Sequence, residues 1–215
     1  MLFPIARGQE KWDGYVGKTL NMNRTIDWRQ PGAEIFWGEI APREHLVQIY
    51  EEDDAFLDCL EGFVSGGLKA DDGVIIIATA EHLQSLENRL RAKGVNLSGA
   101  YMKGQYFSFD AEKTLSKFMV GGWPDEELFN QLVNSLLALA RGKNDRRVRA
   151  FGEMVAILWA AGHNGATVRL EHLWHQFCNA SALSLFCAYP RIGFTQDADA
   201  SMHAICATHS KDIAA

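Results

Sequence analysis

A chain of 215 residues, 47% hydrophobic and 22% charged, has the composition of a globular protein and the length for one domain with a tail. Its net charge of −6, from 27 acidic and 21 basic residues, disfavours nonspecific nucleic-acid binding, which needs a basic surface field, while leaving a local basic patch open. Cys59, Cys178, Cys187 and Cys206 are scattered within apolar patterns and read as buried thiols of a reducing compartment. With no signal-peptide pattern and no apolar run near the roughly 20 residues that span a bilayer, the expectation is a cytoplasmic protein with no membrane contact.

Residues 1–32 form a weakly patterned leader, partly flexible or docking, with Trp12, Tyr15 and Trp28 among polar residues and glycines. A single domain is expected over 33–215. Its first strand is 45–50. A helix follows with Phe56, Leu57, Leu60, Phe63 and Val64 on one face, and Gly66 and Gly67 are read as its stop. The run at 73–78, Gly-Val-Ile-Ile-Ile-Ala, is apolar on both faces, as a central parallel strand requires. Thr79 is positioned to cap a helix carrying Leu83, Leu86 and Leu90, with Gly94 beyond it.

Residues 101–109 alternate loosely and read as a strand or small hairpin. Asp110 is a plausible cap for a short helix. The best-specified helix starts at Pro124, with Asp125, Glu126 and Glu127 at its positive end and a helical stripe from Phe129 to Ala140. The basic run Arg141, Lys143, Arg146, Arg147 and Arg149 reads as a helix end and a solvated turn. Then come a strand at 147–152, a helix at 153–161, a second helix at 166–179 and a strand at 183–189. Strands alternating with helices predict a three-layer α/β fold, a mostly parallel sheet with helices on both faces.

Ligands in such folds bind beyond the carboxyl ends of the strands, where Tyr50, Glu153 and Tyr189 fall. The first strand-to-helix turn reads Glu51-Glu52-Asp53-Asp54. A phosphate-binding turn needs glycines and usually a lysine, so this turn argues against a nucleotide enzyme. Glu171, His175 and Cys178 share a helical spacing, and His203, Cys206 and His209 repeat an i+3 spacing, but neither set is a known metal motif. Glu171 with His175 reads as a surface pair, and no metal is expected. Cys187 lies in an apolar strand pattern, and no nucleophile-elbow motif accompanies the serines near it. The aromatic and sulfur-rich second half, with Trp159, Trp174, Phe177, Phe186 and Tyr189, suits an apolar ligand pocket and equally a packed core.

Several segments together resemble the MEDS family of methanogen and methylotroph sensory domains. They are His45-Leu46-Val47-Gln48-Ile49-Tyr50, Gly67-Leu68, the run from Arg147 to Met154, Leu158 to Gly162, Leu170 to Trp174, Cys187-Ala188-Tyr189-Pro190, and Ile205 to Ser210, spread over roughly 41–210. The resemblance implies a RecA/KaiC-like core without its Walker A loop, which agrees with the acidic turn. It also implies a signal-input role, in which family members sense small organic molecules and are joined to histidine kinases or transcription regulators. No kinase, receiver or DNA-binding pattern is read beside the domain in these 215 residues. Output is therefore expected through a regulatory protein partner or a homodimer, with no direct nucleic acid contact.

The reading is thus a non-catalytic small-molecule sensor. Its candidate ligand-binding residues are Tyr50, Glu153, Trp159, Trp174 and Tyr189, with no catalytic residue and no cofactor. Two alternatives stand beside it: an enzyme using Glu153 as acid/base, and an interaction module that uses the Trp-bearing leader.

Overall fold

The isoleucine run is buried along its whole length. Six apolar residues with water on neither side can only lie between other strands, with helices above and below. A computed structural model, which describes residues 37, 40–194 and 198–213, places it there; the leader at 1–32 lies outside the described residues. The elements in order are β1 (His45–Tyr50), α1 (Asp53–Lys69), β2 (Gly73–Ala78), α2 (Ala80–Ala92), α3 (Leu97–Met102), β3 (Tyr106–Asp110) and α4 (Ala111–Leu115). A small hairpin of β4 (Met119–Val120) and β5 (Trp123–Pro124) follows, then α5 (Glu126–Arg141), β6 (Val148–Gly152), α6 (Met154–Ala160), α7 (Asn164–Ser181), β7 (Ser184–Pro190), α8 (Ala198–Ala207) and β8 (Lys211–Ile213).

The main sheet has six strands in the order β3-β2-β6-β7-β1-β8, all parallel. From β1 to β3 the chain steps one way across the sheet, and from β3 to β8 it steps back. Right-handed crossovers then put α1 to α3 on one face and α4 to α8 on the other. Two hydrophobic clusters follow that division. One holds Leu46, Phe56, Phe63, Ile76, Leu86 and Phe186; the other holds Val47, Ile75, Phe129, Leu170, Trp174 and Leu185. The three-layer α/β architecture predicted from the strand and helix alternation is therefore the one observed.

The helix starts follow from their caps. Thr79 accepts from the His82 amide, Asp110 from Lys113 and Asp125 from Leu128, each satisfying an amide that has no partner within its helix. The best-specified helix starts at Glu126 rather than Pro124, which lies in β5, and three larger expectations change. Residues 101 and 102 end a helix, Leu97–Met102, rather than opening the strand, which begins at Tyr106; Asn96 caps that helix by accepting from the Gly99 amide. Helix α1 runs through Gly66 and Gly67 to Lys69. The reason is space: a β-carbon at Gly66 would stand 2.7 Å from Trp37, and one at Gly67 would stand 2.6 Å from Arg149 Cδ.

The third change is Arg149, which belongs to no solvated turn. It is 2% exposed, inside β6, on the α1 face. Its Nε and Nη2 both donate to Asp72 Oδ2, and Nη1 donates to the Trp37 carbonyl at 2.7 Å and the Phe63 carbonyl at 3.2 Å. The guanidinium lies 5.3 Å from the Phe63 ring centroid, and burial pulls its pKa below the ordinary arginine value. One side chain thus joins β6, the end of α1, the turn into β2 and Trp37. Removing one partner of such a buried pair strands a charge and costs about 3–5 kcal/mol. Asp72→Ala is expected to lower the urea midpoint accordingly with an unchanged slope, and Gly67→Ala by about 1–3 kcal/mol through overpacking against Arg149. A midpoint unmoved by Asp72→Ala would remove the pair from this account.

Candidate functional site

At the carboxyl ends of the strands, two boundaries between inner strands part connections that run to opposite faces, between β2 and β6 and between β1 and β7, which is where sheets of this kind take ligands. Side chains bridge both. Glu153, directly after β6, is 6% exposed; its Oε2 accepts from the Thr79 amide at 2.8 Å and its Oε1 lies 2.8 Å from His82 Nδ1. The carboxylate thereby ties the end of β6 to the first turn of α2. Its hydrogen bond raises the His82 pKa above the ordinary value, against the effect of burial. Tyr50 stacks on Phe56 at 4.7 Å, and His82 sits against the same ring at 5.0 Å; burial, then the nearby Glu153, raises the Tyr50 hydroxyl. Across the other crevice Arg191 donates to Glu51 at 2.9 Å.

A second polar group lies on the opposite face, away from the strand ends, under α7 and α8. The parallel register sets Val47 beside Cys187, so His45, two residues earlier on β1, shares a face with that thiol. His45 Nε2 is 3.4 Å from Cys187 Sγ and 3.5 Å from Glu171 Oε2 on α7. His209, in the turn after α8, brings its Nε2 within 3.5 Å of the same oxygen. Tyr189 donates to Glu171 Oε1. Burial, followed by the two neighbouring imidazoles His209 and His175, pushes the His45 pKa down to about 2. Burial, then Glu171, pushes the Cys178 thiol up to about 12 and raises Cys187 and Tyr189 well above their ordinary values.

Beside this group is a cavity of about 840 Å³, mostly apolar in lining, between α7 and α8. Trp159, Val168, Ala204 and Ile205 form apolar wall, and Thr167, Glu171, His175 and Thr208 contribute polar atoms. Trp159 is held there by donating from Nε1 to the Gly193 carbonyl at 2.8 Å.

The family model described as MEDS, the MEthanogen/methylotroph, DcmR Sensory domain, matches residues 44–210. The chain belongs to the MEDS family. No curated protein matches it. The MEDS match opens one residue before His45 and closes one residue after His209, so the buried polar group and the cavity both lie inside it. A family of sensory domains is in keeping with a signal-input role. Among the described residues, no helix of this MEDS domain is long and apolar enough to cross a membrane.

The five residues singled out in sequence are dispersed by the fold. Tyr50 and Glu153 share the first crevice region. Tyr189 belongs to the buried group on the other face. Trp159 lines the cavity, and Trp174 packs edge-on against Phe129 at 4.9 Å in the core. Glu171 is not a surface residue; it is 4% exposed, because α7 turns it onto the β1–β7 face. The residues missed are His45 and Cys187, each one position in an apolar strand. The alternation of β1 and β7 puts both on one face, but only their adjacency in the sheet joins them.

The Glu153–His82 pair makes a pH prediction. A histidine raised in the folded state adds stability that is fully present below the unfolded value of about 6.5 and is lost as pH rises through the raised value. Glu153→Gln is expected to remove that contribution and bring the His82 titration back down, followed by its ring protons in NMR. An unchanged titration would take Glu153 out of the pairing.

Proposed function

We propose that this MEDS domain is a non-catalytic signal-input module that binds a small, largely apolar organic molecule between α7 and α8. Occupancy would be passed on as a shift of α8 to a regulatory protein, a histidine kinase or a transcription regulator. The observation that carries this reading is the cavity itself. Its size is that of a small-molecule site, its lining surface is mostly apolar, and polar side chains of both helices, Glu171 and His175 on α7 and Ser201 on α8, stand among the apolar ones. One wall is α8, whose register against α7 a guest can bias. The shift is then worth at most the guest's differential affinity for the two arrangements.

The enzyme alternative has less support. Both oxygens of Glu153 are engaged, one by the Thr79 amide and one by His82, so the carboxylate acts first as a tie between β6 and α2. The cavity lies on the other face of the sheet from Tyr50.

A guest present at about a hundred times its dissociation constant stabilises the folded state by about 2.7 kcal/mol, which for a chain of this size raises Tm by about 5–10 °C. A thermal-shift screen of small alcohols, aldehydes, haloalkanes and aromatics is expected to find such compounds. Ala204→Trp, which fills the cavity, is expected to abolish their effect while leaving the fold intact by circular dichroism. If no compound moves the wild-type transition, or if Ala204→Trp responds as the wild type does, the binding site is not this cavity.

A further inference from the structure

We propose that His45, Glu171, Cys187 and His209 bind one divalent transition-metal ion of the Zn²⁺ type. Their ligand atoms, two imidazole nitrogens, a carboxylate oxygen and a thiol sulfur, all lie within 4.8 Å of one another. Zinc bonds of about 2.0–2.3 Å at tetrahedral angles place neighbouring ligand atoms about 3.3–3.8 Å apart. Three of the six separations already have that length: His45 Nε2 to Cys187 Sγ at 3.4 Å, and Glu171 Oε2 to each imidazole Nε2 at 3.5 Å.

The hydrogen bonds around the group point the same way. His209 Nδ1 lies 2.7 Å from the Ile205 carbonyl, which can only accept, so Nδ1 carries a proton and Nε2 turns inward. Glu171 Oε1 is occupied by the Tyr189 hydroxyl, which leaves Oε2 for the centre. Glu171 Oε2 and His209 Nε2 are buried atoms with no hydrogen-bond partner, an arrangement folded proteins rarely tolerate. A cation between them satisfies both. Anchoring of ligands by a carbonyl and a hydroxyl is the usual support of a metal site, since it fixes ring orientation and basicity.

The backbone holds the four in register. Cys187 is set by the pairing of β7 with β1. The Ser210 amide donates to the His45 carbonyl at 2.7 Å, and the His45 amide donates to Ser210 Oγ at 2.9 Å, which pins the residue after His209 to the residue that faces it. The ring centroids of His45 and His209 are 4.0 Å apart. Two imidazoles and a sulfur favour a first-row transition ion over Mg²⁺ or Ca²⁺, which take oxygen. The proposal stands on this geometry and not on the cavity's taking a guest; the two meet only at Glu171, which faces both.

The test uses the full chain, reduced and stripped with a chelator. It is titrated with Zn²⁺ against a chromophoric competitor, and with Co²⁺ by absorbance. One ion per chain is expected, with the visible bands of four-coordinate cobalt and a near-ultraviolet thiolate-to-metal band that Cys187→Ser removes. His209→Ala and Glu171→Gln are expected to weaken Zn²⁺ binding at least about 100-fold, and Tyr189→Phe about 10–100-fold with the stoichiometry kept. His203→Ala, an exposed imidazole outside the group, leaves binding unchanged. Should His209→Ala fail to fold, Cys187→Ser, which changes one buried atom, decides the matter. A folded wild-type protein that takes up no ion at one per chain overturns the proposal. So does binding that Cys187→Ser leaves intact, or that His203→Ala abolishes. The compound screen is run on stripped protein and the ion titration without compounds, so each reading fails by itself.

Discussion

Arg149 is the constraint around which the rest of the domain is arranged. A guanidinium on a central strand has no water to solvate it, so its donors must be met from within the protein. Asp72 and the carbonyls of Trp37 and Phe63 meet them. That requirement explains several otherwise separate facts: glycines at 66 and 67 inside a helix, an aspartate buried in the turn before the isoleucine strand, and the lodging of Trp37 against α1. Apolar packing on the two faces supplies the bulk of the stability, while the arginine determines which turn and which helix end lie beside β6.

The two faces of the sheet carry different chemistry. On the α1–α3 side, the polar groups near the strand ends are paired with one another, Glu153 with His82 and Thr79, and serve as ties. On the α4–α8 side, polar atoms are gathered under a helix pair next to open volume; buried polar atoms without a partner occur on both faces, Glu171 Oε2 and His209 Nε2 here and the side-chain amide of Gln48 on the other. Polar atoms beside open volume suit the ligand site proposed above. The acidic first turn at 51–54 fits the same division. It offers no cradle for a phosphate at the place where related topologies bind nucleotides, and the interest of the domain moves to the other side of the sheet.

Much of the framework was legible in the sequence, because it depends on local rules. The isoleucine run could only be an inner strand, and Thr79 and Asp110 could be recognised as caps from the residues that follow them, whereas Asp125 reads as lying inside a helix that in fact it caps. The end of the helix at Leu97–Met102 was hidden by the loose alternation over 101–109, which reads as a strand until Asn96 is seen to cap. Glycine stops are usually sound, but Gly66 and Gly67 are small for the sake of Trp37 and Arg149, which come from distant parts of the chain. The buried polar group was half visible: Glu171 and His209 stood in separate ligand-like spacings. Its other half, His45 and Cys187, looks like strand interior, and nothing local reveals that β1 and β7 are neighbours.

The clamp between His45 and Ser210 joins positions 165 residues apart, and β8 pairs along the free side of β1. A ribosome delivers these two edges at opposite ends of the domain's synthesis. Until β8 emerges, β1 presents an unpaired row of amides and carbonyls, the kind of edge that invites association with another chain. The buried polar group can close only once residue 209 has been made, and a polypeptide interrupted before it would carry the cavity wall of α7 but lack the histidine that completes the group.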